Sequence, residues 1–147
     1  MFTFGRRSKS KLATCHSDLQ KVLNLALSRS PIDFGISEGE RSLERQKMLF
    51  DEGKSKIDGI NRKGKHNYSP SLASDIYIYH PDGDVRARII YDEVHLAFVM
   101  GIIWACGKEL KEQGEITHSL RWGGNWDTDG VIALDQSFDD LPHIELI

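Results

Sequence analysis

The stretch "LASDIYIYH", residues 72–80, alternates closely enough to read as a strand, and a period of two gives that strand two unlike faces. If Ile76 and Ile78 point into a core, then Ala73, Asp75, Tyr77 and Tyr79 point the other way. Because Ala73 is small, an ion or a substrate has room beside the Asp75 carboxylate. The later stretch "HIELI", residues 143–147, repeats the pattern, with Ile144 and Leu146 inward and His143 and Glu145 on the opposite face. Two strands thus each present a potential ligand from one face. His66, in the loop before the first of them, is a potential third.

Helical signals lie upstream. "SDLQKVLNLAL", residues 17–27, has Ser17 and Gln20 at capping-box spacing and Leu19, Val22, Leu23, Ala26 and Leu27 at helical intervals, which predicts a helix ending near Pro31. "DFGISEG", residues 33–39, reads as a short strand running into a turn. "SLERQKMLFDEG", residues 42–53, reads as a helix capped by Ser42 and closed at Gly53. Arg41 therefore stands at a strand-to-helix junction. Residues 54–71 form a long polar loop, "HPDGD" at 80–84 is a turn signal, and "DEVHLAFVMGIIWACGKELKEQG", residues 92–114, is the longest helix, apolar enough for the centre of the core. A short strand at "LRWGG", residues 120–124, completes the pattern. Helices early and strands late indicate an α+β fold, a small antiparallel sheet with helices packed on one side and the ligand-bearing face open.

The 147 residues, 39% hydrophobic and 28% charged, suit one globular domain spanning 1–147 with no separate wall-binding module. A net charge of −3 gives no general attraction to nucleic acid, and Arg6, Arg7, Lys9 and Lys11 read as a solvated face. Cys15 and Cys106 lack CxxC spacing and read as buried thiols of a reducing compartment. No apolar run approaches the ~20 residues of a membrane span, and no signal peptide is read at the N-terminus, so the expectation is a cytoplasmic protein without stable membrane association. The lone His95 and His118 read as structural or solvent-facing.

Two histidines and a carboxylate are a common ligand set for catalytic zinc, which keeps one position open for water. On spacing alone the choice of ligands stays open, since six histidines and 22 acidic residues allow many accidental triples. A second pattern lies in "NWDTDGVIALDQ", residues 125–136. Asn125, Asp127 and Asp129 followed by Gly130 match the first half of a calcium loop, with Gln136 where such loops prefer glutamate. The alternative there is an Asp-rich turn that binds no ion.

Several segments together carry a family resemblance. "KHNYSPSLASD" (65–75) resembles the histidine to A-x-D segment, and "DDLPHIEL" (139–146) the D-x-x-H-x-E segment, of the D-alanyl-D-alanine carboxypeptidase and L-alanyl-D-glutamate endopeptidase family of zinc peptidases. "ISEGERSLERQ" (36–46) is similar to the family's G-x-R-[S/T] strand-turn-helix, and "RWGGNWDTDG" (121–130) to its tryptophan-glycine loop. The opening "FGRRSKSKLATCHSDLQKV" (4–22) resembles the start of bacteriophage endolysins of this group.

The resemblance implies that His66, Asp75 and His143 hold zinc on the open face of the sheet, that Asp140 is the general base, and that Arg41 steadies the carbonyl oxygen. It also implies that Gln46 orients substrate and that Trp122 and Trp126 line the cleft. Eight residues lie between His66 and Asp75, two more than in many members, which makes His80 the alternative ligand. Arg41 has a plainer reading as an ion pair with Glu38, Glu40 or Glu44, and Gln46 as part of a polar helix face.

The implied activity is an L-alanyl-D-glutamate endopeptidase acting on the peptidoglycan stem peptide as a phage endolysin. Such a protein is a monomer held in the host cytoplasm until a holin gives access to the wall. The alternatives are a D-alanyl-D-alanine carboxypeptidase or dipeptidase on the same scaffold, or a zinc-containing domain without catalysis.

Overall fold

The computed structural model describes residues 1–133 and 136–147. In chain order the elements are α1 (Arg6–Leu12), α2 (Ser17–Arg29), β1 (Phe34–Glu38), α3 (Leu43–Asp51), a short 3-10 turn (Lys65–Asn67), β2 (Ala73–Ile78), α4 (Gly83–Ile89), α5 (Glu93–Glu112), β3 (Leu120–Gly123) and β4 (Asp140–Leu146). The four strands form one sheet in the order β1-β2-β4-β3, and every neighbouring pair is antiparallel. The α+β expectation holds.

The alternation of β2 sorts its side chains as the sequence requires. Ile76 and Ile78 are fully buried, while Asp75 and Tyr77 are partly open on the other face. In β4, Ile144 and Leu146 join them. This apolar face packs with Leu19, Val22, Leu23 and Leu27 of α2 and with Leu96, Val99, Met100 and Ile103 of α5 in a single core. Burying one such side chain contributes roughly 1.5–3 kcal/mol, so this layer fixes the pleat and with it the face that Asp75 and His143 occupy.

Three local readings change. The cap of α2 is His16, whose Nδ1 accepts the Asp18 N–H at 3.0 Å; Ser17 is already the first helical residue. α5 is buried along one side only, and Val94, Phe98 and Trp104 stand exposed on it. Two seven-residue helices also lie where none is predicted. In α1, Ser8 and Leu12 are buried, and Ser8 Oγ accepts the Ile36 N–H of β1 at 3.0 Å. In α4, Asp82 caps a helix where "HPDGD" reads as a turn. The cap at Ser42 of α3 and the buried, unpaired Cys15 and Cys106 agree with expectation.

Candidate active site

The pairing of β2 with β4 sets Asp75 directly opposite His143. Both project from the face away from the core, as the alternation of each strand dictates. His66 comes from the 3-10 turn, and backbone bonds pin its loop to the start of α3. The Arg41 N–H donates to the His66 carbonyl at 2.7 Å, and the Asn67 side chain donates to the Arg41 carbonyl at 3.0 Å. The longer chain between His66 and Asp75 therefore returns His66 to the sheet. His80 lies beyond the other end of β2 and accepts the Asp82 N–H, so it is no part of the group.

His66 Nε2, Asp75 Oδ1 and His143 Nδ1 converge, with separations of 3.1 Å (His66 to Asp75), 3.2 Å (His143 to Asp75) and 3.2 Å between the two rings. The outer nitrogens decide the tautomers. His66 Nδ1 donates to the Gly39 carbonyl at 2.8 Å and His143 Nε2 donates to Glu145 at 2.8 Å, because neither partner has a proton to give. With both outer nitrogens donating, each ring has its inner nitrogen available to a cation beside an ionised carboxylate. Three ligand atoms at this spacing could hold a metal ion. Tetrahedral coordination with bonds of about 2.0–2.1 Å places ligand atoms roughly 3.3 Å apart, close to the separations seen.

Without a cation, a proton takes its place. Burial alone would raise Asp75, yet the two histidines hold its carboxyl well below the usual range. Burial alone would lower His143, but its bonds to Asp75 and Glu145 push it up to about 10, so without a cation Nδ1 carries a proton donated to Asp75, which metal binding would displace. Glu145 is anchored in turn by Arg121 of β3, whose Nη2 donates to it at 2.8 Å. Carboxylate, histidine and cation site are thereby linked in series, the arrangement that fixes a ligand ring and makes it more basic.

Asp140 starts β4, and its Oδ2 is 3.8 Å from His143 Nδ1. Burial first, and the neighbouring Asp75 charge second, push its carboxyl up from the ordinary value. Its position depends on Gly123, which pairs with it at a bulge in the β3–β4 register. A Cβ on Gly123 would lie 2.0 Å from the Asp140 carbonyl oxygen.

Arg41 does make the ion pair with Glu38, through two bonds of 2.9 and 2.7 Å. Its remaining bonds turn it toward the site. Nη1 donates to Gln46 at 2.9 Å and Nη2 reaches Asp75 at 3.4 Å, which leaves one Nη1 proton unengaged by these partners. Gln46 is 2% exposed, and its amide also donates to Ser55 and to the Ile57 carbonyl, so it holds Arg41 and the following loop together.

These groups line a cleft of about 470 Å³. Trp126 forms part of its wall, 5.4 Å from the His143 ring with its indole N–H on the Phe138 carbonyl. Trp122 lies elsewhere, buried in the core with its indole N–H on the Leu141 carbonyl, because the inward face of β3 carries it. Lys54, Lys56, Arg62 and Lys63 give one side of the cleft a basic lining. Asn125, Asp127 and Asp129 turn side-chain oxygens onto their own loop, accepting from Gly130, Asp129 and Val131 amides, while Gln136 accepts the Trp126 N–H. Glu38, Gly39, Arg121 and Glu145 complete the site. Of these, Glu38 carried a signal in the sequence as a neighbour of Arg41, Gly39 as the glycine of the G-x-R-[S/T] motif, and Glu145 by sharing a face with His143.

Comparison with known proteins bears on this arrangement. The family described as phage L-alanyl-D-glutamate peptidase matches residues 1–147. The chain is 30% identical over 149 residues to the L-alanyl-D-glutamate peptidase of Escherichia phage T5, covering 99% of this chain and 98% of that protein. It is 30% identical over 132 residues to the peptidoglycan L-alanyl-D-glutamate endopeptidase CwlK of Bacillus subtilis, covering 86% and 68%. The crystal structure of the Serratia marcescens L-Ala D-Glu endopeptidase ChiX matches with a TM-score of 0.71 at 25% identity, over 99% of this chain and 90% of that one.

Proposed function

Since the chain belongs to the phage L-alanyl-D-glutamate peptidase family, we propose that it hydrolyses the bond between L-alanine and D-glutamate in the peptidoglycan stem peptide, using zinc held by His66, Asp75 and His143. The observation that carries this reading is the convergence of three potential ligand atoms within 3.2 Å, each ring fixed from behind by a hydrogen-bond acceptor. Zinc bound there supplies Lewis acidity, polarising the carbonyl and lowering the pKa of a water to about 7.

The side chains divide the remaining work. Asp140, held at a raised pKa beside the ligand group, takes the proton of the attacking water and returns it to the departing amine. Arg41 offers its unengaged Nη1 proton to the carbonyl oxygen as charge develops there, a contribution of about 3 kcal/mol in other hydrolases. Gln46 acts through Arg41 by holding the guanidinium in place. Trp126 walls the cleft, and the basic lining suits an anionic peptide. As a phage lysis protein it reaches the wall after a holin opens the host membrane. Calcium at Asn125, Asp127 and Asp129 is a separate proposal resting on the loop's oxygen spacing.

Purified sacculi incubated with the protein, with and without chelator and restored zinc, test the reading by mass spectrometry of the new chain ends. New amino termini at D-glutamate that vanish on chelation are expected. Released D-alanine would point to a carboxypeptidase on the same scaffold, and cleavage indifferent to prolonged chelation would remove zinc from the mechanism.

A further inference from the structure

A second group of two histidines and an aspartate lies away from the cleft, where α2 begins and the chain leads into β3. His16 caps α2, Asp18 is in its first turn, and His118 arrives from 100 positions along the chain. One nitrogen or carboxylate oxygen from each lies within 4.8 Å of those of the other two. The ring arrangement repeats that of the first group. His16 and His118 have centroids 4.9 Å apart at 74°, against 5.0 Å and 71° for His66 and His143.

The Asp18 side chain is 8% exposed. Its Oδ2 accepts the Thr117 and His118 N–H groups and stands 2.7 Å from His118 Nδ1. Its Oδ1 receives no hydrogen bond among the described residues and stands 3.9 Å from His16 Nδ1. Because no buried side-chain oxygen lacks a partner among the described residues, Oδ1 is open to solvent; an accessible carboxylate oxygen between two imidazoles offers a cation a ligand set once it displaces the proton that His118 Nδ1 donates to Asp18.

We propose that His16, Asp18 and His118 form a second binding site for a divalent transition-metal ion of the zinc class, weaker than the first, which clamps the start of α2 to the lead-in of β3. Mixed nitrogen and oxygen donors suit such ions. Two features make it the weaker site. Its ligand atoms must draw together by more than those of the first group, and a cation there opposes the positive end of the α2 dipole. The histidines are about a third exposed and free to make that movement.

The test is zinc binding by the metal-free protein in equilibrium dialysis, with heat-unfolding and histidine NMR alongside. Two equivalents are expected, the second bound at least tenfold more weakly, with the unfolding temperature still rising as the second is taken up. The double variant His16→Asn, His118→Asn should bind one equivalent; asparagine at position 16 keeps a helix cap. His143→Ala should keep the weak equivalent, so failure of the catalytic reading and failure of this one are separable. In the unaltered protein the His16 and His118 ring protons should shift only with the second equivalent. No zinc bound by His143→Ala, His16 and His118 ring signals that ignore excess zinc, or a weak equivalent that survives in the double variant would overturn the proposal.

Discussion

Glu145 lies 2.8 Å from His143 Nε2 and by accepting that proton decides that Nδ1 is the nitrogen facing Asp75. With Arg121 behind it, this carboxylate stands outside the converging three and still sets their chemistry. Glu145→Ala should therefore weaken zinc binding by about 10–100-fold while Asp75 and His66 stay in place. Competition against a chelator of known affinity measures this, and unchanged affinity would mean that the His143 ring needs no such support.

Asp140→Asn should separate binding from turnover. The amide keeps the size of the side chain and loses the ability to take a proton, so cleavage of sacculi should fall by about 10²–10⁴-fold. Zinc content should stay at the level of the unaltered protein, whereas His143→Ala should lose both. Full activity in the asparagine variant would assign the base elsewhere.

The pH profile follows from the direction of the Asp140 shift. Burial and the Asp75 charge raise its carboxyl, and a base works only when ionised, so kcat/KM should fall as pH drops through a midpoint above the ordinary carboxylate value of about 3.9. Adding zinc neutralises the Asp75 part of that field and should move the midpoint down. Carboxyl NMR of Asp140 in the metal-free and loaded protein reads both; a metal-free midpoint at or below the ordinary value would contradict burial and the Asp75 charge as its determinants.

Gly123→Ala should damage the site through the backbone. Its new methyl would meet the Asp140 carbonyl at 2.0 Å, and main chain cannot swing aside as a side chain can. We expect about 1–3 kcal/mol lost in denaturant unfolding and slower cleavage with zinc retained. Gly101→Ala is the control. No atom lies within 4 Å of its Cβ position, and it sits inside α5, where alanine should stabilise by up to about 1 kcal/mol. Equal stability of the two variants would show that the bulge tolerates the methyl.

The site was legible where local periodicity determines it. β2 and β4 show their alternation because one face of each is packed against helices and the other is not, and that alone puts Asp75 and His143 on the same side. The capping signal at Ser42 likewise marks α3 and so locates Arg41. What the chain could not disclose depends on register or on competing local signals. Arg121 faces Glu145 only because β3 and β4 pair in one particular register. His118 meets Asp18 and His16 across the whole fold, which no spacing encodes. α4 was hidden because Asp82 and Gly83 read as a turn while serving as a helix cap and first residue. Trp122 and Trp126, four positions apart, part company because one belongs to a strand's inward face and the other to the loop after it.

The sheet order also governs when the proposed active site becomes complete. β4 is synthesised after the other three strands, yet it occupies an interior place between β2 and β3 and carries both Asp140 and His143. Until β4 is in place, β2 and β3 have no partner between them, and the proposed ligands His66 and Asp75 lack His143 and the proposed base Asp140. A chain terminated before β4 therefore lacks the proposed base and one proposed ligand, and hydrolytic capacity arrives with a single late strand insertion instead of accumulating along the way.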